Sequence, residues 1–325
     1  LTHLSRRVPR HRLLAGVMGL FTVAVAASAC APGYGTLLAA RVTIALGQAV
    51  FWSVATPAAA ALFPPRVRGR VVAVVSTGGS LAGVLGVPGG TWIGQQAGWR
   101  AAFLAVAALG LLTAVALAVL LPAVPPEQES ASRGTEPDRR RYGLVVLTTV
   151  LGVTGSFCTF TYITPFLTGV TGFAADVIAL QLLANGVAGV AGAVVVGWVV
   201  DRGPWAVAVV VIVLQAVALL GLYPAGGLPA PAAALVTLLG VCMGALPPVL
   251  GARMLRHAPG RTDLASAVLS TAFNVGITGG ALIGGLLLPA VGVRGVALAG
   301  GLFTLAALAV VLAEALPARR GRRPA

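Results

Sequence analysis

The sequence contains no lysine and few acidic residues: 22 basic residues, all arginine, stand against 8 acidic ones. Charged residues make up only 9% of the 325 positions, whereas soluble domains contain about 25%. A water-soluble surface cannot be built from so few charges. The composition therefore excludes an ordinary soluble globular protein.

Other absences narrow the function. No G-x-x-x-x-G-K-[ST] loop is present, which disfavours nucleotide-driven transport. No cluster of acids, histidines or metal-ligand spacings lies beside the apolar runs, which disfavours an integral-membrane enzyme such as a lipid-modifying transferase. The three cysteines form no C-x-x-C pair and are expected to be small packing residues. We therefore predict no catalytic residue, no metal site and no cofactor.

Long apolar runs dominate what is present. Hydrophobic residues form 58% of the chain, and the mean hydropathy is +0.97. Since a helix needs about 20 apolar residues to cross a bilayer, these runs predict an all-α integral membrane protein. The ten predicted spans are residues 13–31, 36–62, 71–95, 101–122, 143–169, 176–200, 205–224, 230–252, 262–290 and 294–316.

One polar segment divides the spans. Residues 123–142, AVPPEQESASRGTEPDRRRY, contain half of all the acidic residues and read as a solvated, flexible linker. The expected organisation is an N-terminal part, 1–122, with four helices, this linker, and a C-terminal part, 143–325, with six helices and a basic tail.

The arginines set the expected topology. Nineteen of the 22 fall in alternate gaps between spans or in the two termini, and only Arg100 and Arg294 fall in the other gaps. By the positive-inside rule the linker and both termini are cytoplasmic, in a cell (inner or plasma) membrane. This distribution also argues against nucleic-acid binding, which requires a basic face with readout residues.

A weak internal repeat relates the two parts. GVPGGTWIG at 86–94 matches GITGGALIG at 276–284 in five of nine positions, 190 residues apart. Subtracting 190 from Gly143 gives a position 47 residues before the chain start, enough for two further helices. We expect two such helices of a twelve-helix, two-half transporter to precede residue 1; an inactive fragment is one alternative.

Four residues carry a family resemblance. Gly197, Asp201, Arg202 and Gly203 resemble the G-x-x-x-D-R-x-G loop signature of the major facilitator superfamily. The resemblance implies a two-half helical bundle, with ten of twelve helices present, that carries solutes by alternating access. The resemblance also implies that these four residues form a cytoplasmic loop, here called the loop latch, which holds the transporter in one conformation. Pro204 departs from the pattern, because the family often has basic residues there.

Two further stretches resemble transporter signatures. Arg41 and Gly47 are similar to the R-x-x-x-G-x-G signature of proton-coupled facilitators, which implies an intramembrane coupling role; the alternative is an arginine that snorkels to the membrane surface.

The next predicted span, 71–95, resembles the glycine-proline signature of antiporters. The residues that carry this resemblance are Gly86, Pro88, Gly89 and Gly90, although Val87 separates the first two. The GWR sequence at its end resembles the arabinose-efflux and chloramphenicol-resistance branch. Close helix packing explains the same glycines equally well.

Substrate contacts are less specific. Phe157, Phe160 and Tyr162, with the amides Asn185 and Asn274, are candidates for lining an amphipathic cavity, and each is also a candidate helix-packing residue.

The titratable groups give few candidates for coupling. We expect the three histidines to be solvated and no carboxylate to be buried, so a proton carrier would lie in the preceding helices or act through Arg41.

The expected function is export of a small organic molecule, a drug, sugar or metabolite, by a monomeric proton antiporter in the lipid bilayer, as in drug resistance. The energy source is the proton gradient. An uptake symporter of the same fold is the second transport hypothesis.

Overall fold

The computed structural model describes residues 10–61, 78, 82–121, 135–260 and 262–315. Regular structure in these residues is entirely helical. The helices are α1 (Arg10–Ala29), α2 (Tyr34–Ala61), α3 (Val87–Ala97), α4 (Trp99–Leu120), α5 (Arg139–Phe160), α6 (Ile163–Phe166), α7 (Ala175–Val199), α8 (Pro204–Ala225), α9 (Pro229–Arg256) and α10 (Thr262–Ala313).

The helices follow the predicted spans with two differences. The first part of the predicted span 71–95 lies largely outside the described residues, and its remainder forms the π-turn Ala82–Gly86 and the start of α3. The predicted span 143–169 is interrupted after Phe160 and continues as α6 and the π-turn Leu167–Thr171. The last two predicted spans, 262–290 and 294–316, correspond to the two helical arms of α10, which the non-helical residue Gly292 separates. By length and composition, seven described helices could cross a membrane.

The chain forms two compact units, Leu1–Ser130 and Ala131–Ala325. In the described part of the first unit, α1 packs against both α2 and α4, and α3 packs against α4. In the second unit, α5 packs along α10, α7 along α9, and α8 against α9 and α10. The boundary between the units falls inside the predicted linker.

Glycine lets helix backbones approach closely in the second unit. A methyl group added at Gly280 of α10 would lie 2.6 Å from the Thr154 carbonyl oxygen of α5. Methyl groups at Gly192 of α7 and Gly244 of α9 would likewise overlap carbonyl oxygens of the facing helix. Because lipid tails are as apolar as leucine, contacts of this kind, rather than apolar burial, hold membrane helices together.

Two glycines with positive φ angles break helices in the same way in the two units. Gly98 (φ 84°, ψ 161°) separates α3 from α4, and Gly292 (φ 64°, ψ 176°) separates the arms of α10. An arginine follows two residues later in both cases: Arg100 donates to the Ala31 carbonyl oxygen at 3.3 Å, and Arg294 packs on Gly227. The two glycines are 194 positions apart, four more than the 190 positions between the glycine-rich motifs, so the shared geometry fits the internal repeat if the second unit has four additional residues between motif and break.

The start of α5 is set by Asp138. Its carboxylate accepts from the backbone N–H groups of Arg140 and Arg141 at 2.8 and 3.1 Å, as an N-cap residue does. The backbone hydrogen bond from Arg141 is the largest cause of a lowered pKa of Asp138, and the bond from Arg140 lowers that pKa further. The cap also offsets the unfavourable placement of three arginines, 139–141, at the positive end of the helix dipole.

We expect Gly292→Ala to destabilise the protein by about 1–3 kcal/mol, since the φ/ψ combination of Gly292 is open only to glycine. Thermal unfolding in detergent micelles measures the effect. Gly143→Ala is the matched control, because Gly143 is helical and exposed, and no described atom lies near an added methyl group. Equal midpoints for the two variants would contradict the prediction.

We expect Asp138→Ala to destabilise the protein by about 1 kcal/mol through loss of the cap. Because folding lowers the pKa of Asp138, its charge-dependent stabilisation is present above the unfolded pKa and is lost as pH falls through the folded one. Asp138→Asn keeps an acceptor and removes the titration. Its unfolding midpoint, scanned from neutral to acidic pH, should therefore fall less steeply than that of the wild type.

Candidate functional site

The loop latch lies where α7 turns into α8. Gly197 is exposed, and the backbone of residues 200–202 forms a single 3-10 turn. Arg202 donates to the Trp198 carbonyl oxygen at 2.8 Å, which places its charge at the negative end of the α7 dipole. Gly203 precedes α8, whose first residue is Pro204, a position where proline needs no N–H partner. The Asp201 side chain lies outside what the structure describes, so the latch stays a prediction.

Arg41 stacks on an aromatic ring inside the first unit. Its guanidinium carbon lies 4.7 Å from the centre of the Phe103 ring of α4, a cation–π distance. Gly47 lies about two turns further along α2 and is buried. A methyl group added at Gly47 would lie 3.9 Å from the Val17 carbonyl oxygen of α1. The coupling role of both residues stays a prediction.

The glycine-proline stretch begins α3. Gly86 ends a π-turn (Ala82–Gly86) that continues directly into the helix, and Pro88, the second residue of α3, is buried. Among the described residues, nothing would contact a methyl group at Gly86, Gly89 or Gly90. The matching glycines of the second unit, Gly276 and Gly280, lie instead against α5.

Two of the five cavity candidates bond a neighbouring helix, and two others pack on each other within α5. Asn185 is buried and donates to the Val236 carbonyl oxygen of α9 at 2.7 Å, and Tyr162 donates to the Ala281 carbonyl oxygen of α10 at 2.7 Å. The rings of Phe157 and Phe160 form an edge-to-face pair at 6.2 Å. These contacts account for the side chains through packing, and a role in substrate binding stays a prediction for them.

Asn274 belongs to an exposed polar stripe on α10. Ser266, Ser270, Asn274 and Thr278 recur at intervals of four residues and are all exposed in the unit, as is Thr271. The stripe is about 18 Å long at 1.5 Å per residue. An open groove of about 450 Å³ runs beside it. The groove is lined by Thr271, Asn274, Val275, Thr278 and Gly279.

The sequence contains this stripe, but only Asn274 was singled out from it. The four-residue spacing is the signal that could have found the other members, because it places them on one helix face.

The arginine-rich end of the second unit contains buried charges that the sequence did not reveal. Arg253 is 1% exposed and forms an ion pair with Glu314, which is 8% exposed. His257 is 5% exposed, with Nε2 4.0 Å from Oε1 of Glu314. The expectations that every histidine is solvated and that no carboxylate is buried are therefore wrong.

The last residues of the linker bind to the same end of the unit. Arg256 donates two hydrogen bonds to the Glu136 carboxylate, at 2.9 and 2.7 Å. This contact lowers the pKa of Glu136 below its ordinary value.

The ends of other helices meet the last turn of α10. Trp205 donates from Nε1 to the Val311 carbonyl oxygen at 3.0 Å, and Arg140 donates to the Ala313 carbonyl oxygen at 3.3 Å. These donors satisfy carbonyl groups that the end of a helix leaves without partners. No cluster in the described part of the chain has the composition of a metal site.

Comparisons with known proteins identify the fold. An uncharacterized MFS-type transporter of Bacillus subtilis strain 168, YtbD, is 34% identical over 342 residues, which cover 100% of this chain and 84% of that protein. A bacterial homologue of the human lysosomal transporter Spinster, in an inward-facing and occupied conformation, superimposes with a TM-score of 0.66 at 16% identity. That match covers 93% of this chain and 82% of the homologue.

The Escherichia coli fucose:proton symporter superimposes with a TM-score of 0.63 at 15% identity, over 97% of this chain and 86% of the symporter. The expected all-α membrane fold is confirmed, and so is the expectation of a transporter rather than an enzyme. The two helices expected before residue 1 stay a prediction. The family profile of the Major Facilitator Superfamily matches residues 1–239 and 145–325, and the chain therefore belongs to that superfamily.

Proposed function

We propose that the protein is a secondary active transporter that exports a small organic molecule by alternating access in exchange for protons. We further propose that it works as a monomer in the cell membrane, with the arginine-rich end and both termini in the cytoplasm, as the arginine distribution favours.

The polar stripe on α10 is the observation that carries the proposal. A polar group that faces hydrocarbon without a partner costs several kcal/mol, yet Asn274 and Thr278 are exposed in the unit. The amide nitrogen of Asn274 donates to the Ser270 carbonyl oxygen of its own helix at 2.8 Å. Its amide oxygen accepts no bond within the described residues. A stripe of this kind is favourable beside an aqueous solute pathway.

The lining of the groove favours an uncharged substrate with a large apolar part. Its five lining residues are threonine, asparagine, valine and glycine, none of them is charged, and the surface that they present to the groove is mainly apolar. Such a lining suits a neutral or amphipathic molecule, such as a drug-like compound.

Export coupled to protons is supported by two features. The stretch with Gly86 and Pro88 resembles the antiporter signature, and Arg41 resembles the signature arginine of proton-coupled facilitators. Arg41 lies on the Phe103 ring and is the candidate group for sensing charge within the first unit.

Substrate-dependent proton movement in everted membrane vesicles tests the export proposal. Respiration acidifies the vesicle lumen, and an antiporter releases those protons when substrate is added, which a fluorescent ΔpH dye reports as dequenching. Chloramphenicol, ethidium and arabinose are the first probes. We expect dequenching with at least one of them. Its absence for the whole panel, with the protein inserted, would contradict export of these classes.

The stripe has a sharper test in the same assay. We expect Asn274→Ala and Thr278→Val to lower the initial rate about 2- to 10-fold, the effect of one lost hydrogen bond. Thr113→Val is the matched control, since Thr113 of α4 bonds only the Leu109 carbonyl oxygen of its own helix among the described contacts, at 2.8 Å. Equal rates for all three variants would remove the stripe from the solute pathway.

The latch predicts a different defect. We expect Asp201→Asn to lower transport about fivefold or more, as a coupling free energy of 1 kcal/mol or more would, while insertion stays intact. Asp176→Asn is the control, because Asp176 is exposed at the start of α7, the helix that ends shortly before Asp201. Undiminished transport in the Asp201 variant would make the Asp-Arg pair a topological marker only.

Uptake by proton symport is the second candidate. The structural similarity to the fucose:proton symporter favours considering it. In right-side-out vesicles, addition of substrate would then make the medium more alkaline, whereas antiport would make it more acidic.

A further inference from the structure

The end of the linker is fastened to the turn that follows α9. Glu136 donates its backbone N–H to the Arg256 carbonyl oxygen at 2.8 Å, and Asp138 donates to the His257 carbonyl oxygen at 3.2 Å. The bidentate contact between Arg256 and the Glu136 carboxylate adds to this attachment. We call these contacts of residues 136–138 with residues 256–257 the linker clasp.

The His257 ring joins the linker clasp to the end of α10. Its Nδ1 lies 3.1 Å from the Glu136 carbonyl oxygen, and its Nε2 lies 4.0 Å from Oε1 of Glu314. A carbonyl oxygen only accepts, so Nδ1 must carry a hydrogen for this bond to form. A neutral ring would then direct the Nε2 lone pair at a carboxylate. A protonated ring directs an N–H at it instead, so the observed geometry suits the imidazolium form.

Glu314 has a second partner in Arg253. Arg253 is almost completely buried, its Nε and Nη1 atoms have no hydrogen-bond partner, and Glu314 is the one counter-charge that it contacts in the described part of the chain. Neutralising Glu314 would leave a buried guanidinium uncompensated, which is strongly unfavourable.

Three ion pairs lie near His257. Glu136 pairs with Arg256, Glu314 with Arg253, and Asp138 lies 3.6 Å from Arg141. Two further groups of α5 lie next to these pairs: Arg140 donates to the Ala313 carbonyl oxygen beside Glu314, and the Tyr142 amide bonds the Asp138 carbonyl oxygen.

We propose that His257 is a proton-binding site at the arginine-rich end of the protein, and that its protonation tightens the linker clasp. The imidazolium bridges the Glu136 carbonyl group and Glu314, and so ties the linker to the ends of α9 and α10. Loss of that proton at higher pH removes the charged contact with Glu314 and loosens the attachment. The site is 5% exposed, which leaves the ring a contact with solvent for proton exchange.

The consequence for transport rests on the proposed function, whereas the clasp itself does not. If the two units move relative to each other during transport, attachment of residues 136–138 to the end of α9 at low cytoplasmic pH would restrain that movement. Cytoplasmic pH would then reach the transport cycle through His257. A failure of the transport assays would leave the pH response of the clasp intact as a separate result.

Amide hydrogen exchange of the full chain in detergent micelles tests the proposal. Rates for the Glu136 and Asp138 amides, which bond the Arg256 and His257 carbonyl oxygens, are measured at pH 5.5 and pH 8 and corrected for the intrinsic pH dependence of exchange. We expect protection to be at least about threefold higher at pH 5.5, because the imidazolium adds a charged contact with Glu314. The Tyr142 amide, which bonds the Asp138 carbonyl oxygen at 2.9 Å, is the internal control and should not respond. Equal protection of 136–138 at both pH values would overturn the proposal.

His257→Asn is the matched variant, because the asparagine amide can still donate to the Glu136 carbonyl oxygen but does not titrate. We expect its protection to be independent of pH. A pH response as large as that of the wild type would assign the effect to another group and overturn the proposal. Should the variant fail to fold, ¹⁵N spectra of the wild-type imidazole rings decide the question: a His257 ring with hydrogens on both nitrogens at pH 5.5 that loses the Nε2 hydrogen by pH 8 supports the proposal, and a ring that is neutral at pH 5.5 contradicts it.

Discussion

Close contact between helix backbones is the constraint on which the second unit depends. In a bilayer, apolar side chains gain little by leaving lipid for protein, so the helices must be held by tight packing and hydrogen bonds. Gly276 and Gly280 bring α10 against α5, and Gly192 and Gly244 bring α7 against α9. The hydrogen bonds of Tyr162 and Asn185 cross these same contacts.

At the arginine-rich end of the second unit, where α10 ends, the packed helices also bring polar side chains together and bury them. Trp205, Arg140 and Arg253 all act on the last turn of α10 or on Glu314 just beyond it, so three helices are joined at one helix end. A buried ion pair contributes little net stability on average, but removing one partner is costly. Such a cluster therefore specifies one arrangement of helix ends and does so through residues that are far apart in the chain.

The glycine-rich repeat shows how one motif has different consequences in the two units. In the second unit, Gly276, Gly280 and Gly284 are packing positions against α5. In the first, the matching Gly86 and Gly90 have no close described neighbour, and the antiporter interpretation stays a prediction there. The break at Gly98 and Gly292, in contrast, has the same backbone geometry in both units and is the firmest structural sign of the repeat.

The sequence by itself determined the class of protein and the helix positions. The length of an apolar run and the placement of arginines are local properties, and they decide which segments insert into a bilayer and in which orientation. It also contained the polar stripe of α10, whose four-residue spacing is visible without a structure. Only the tertiary structure decided that Asn185 serves a helix contact, that Glu314 is buried with Arg253, and that His257 meets the linker. Those residues are separated by about 50 to 120 positions from their partners, and their roles depend on which helix ends come together, which no local pattern specifies.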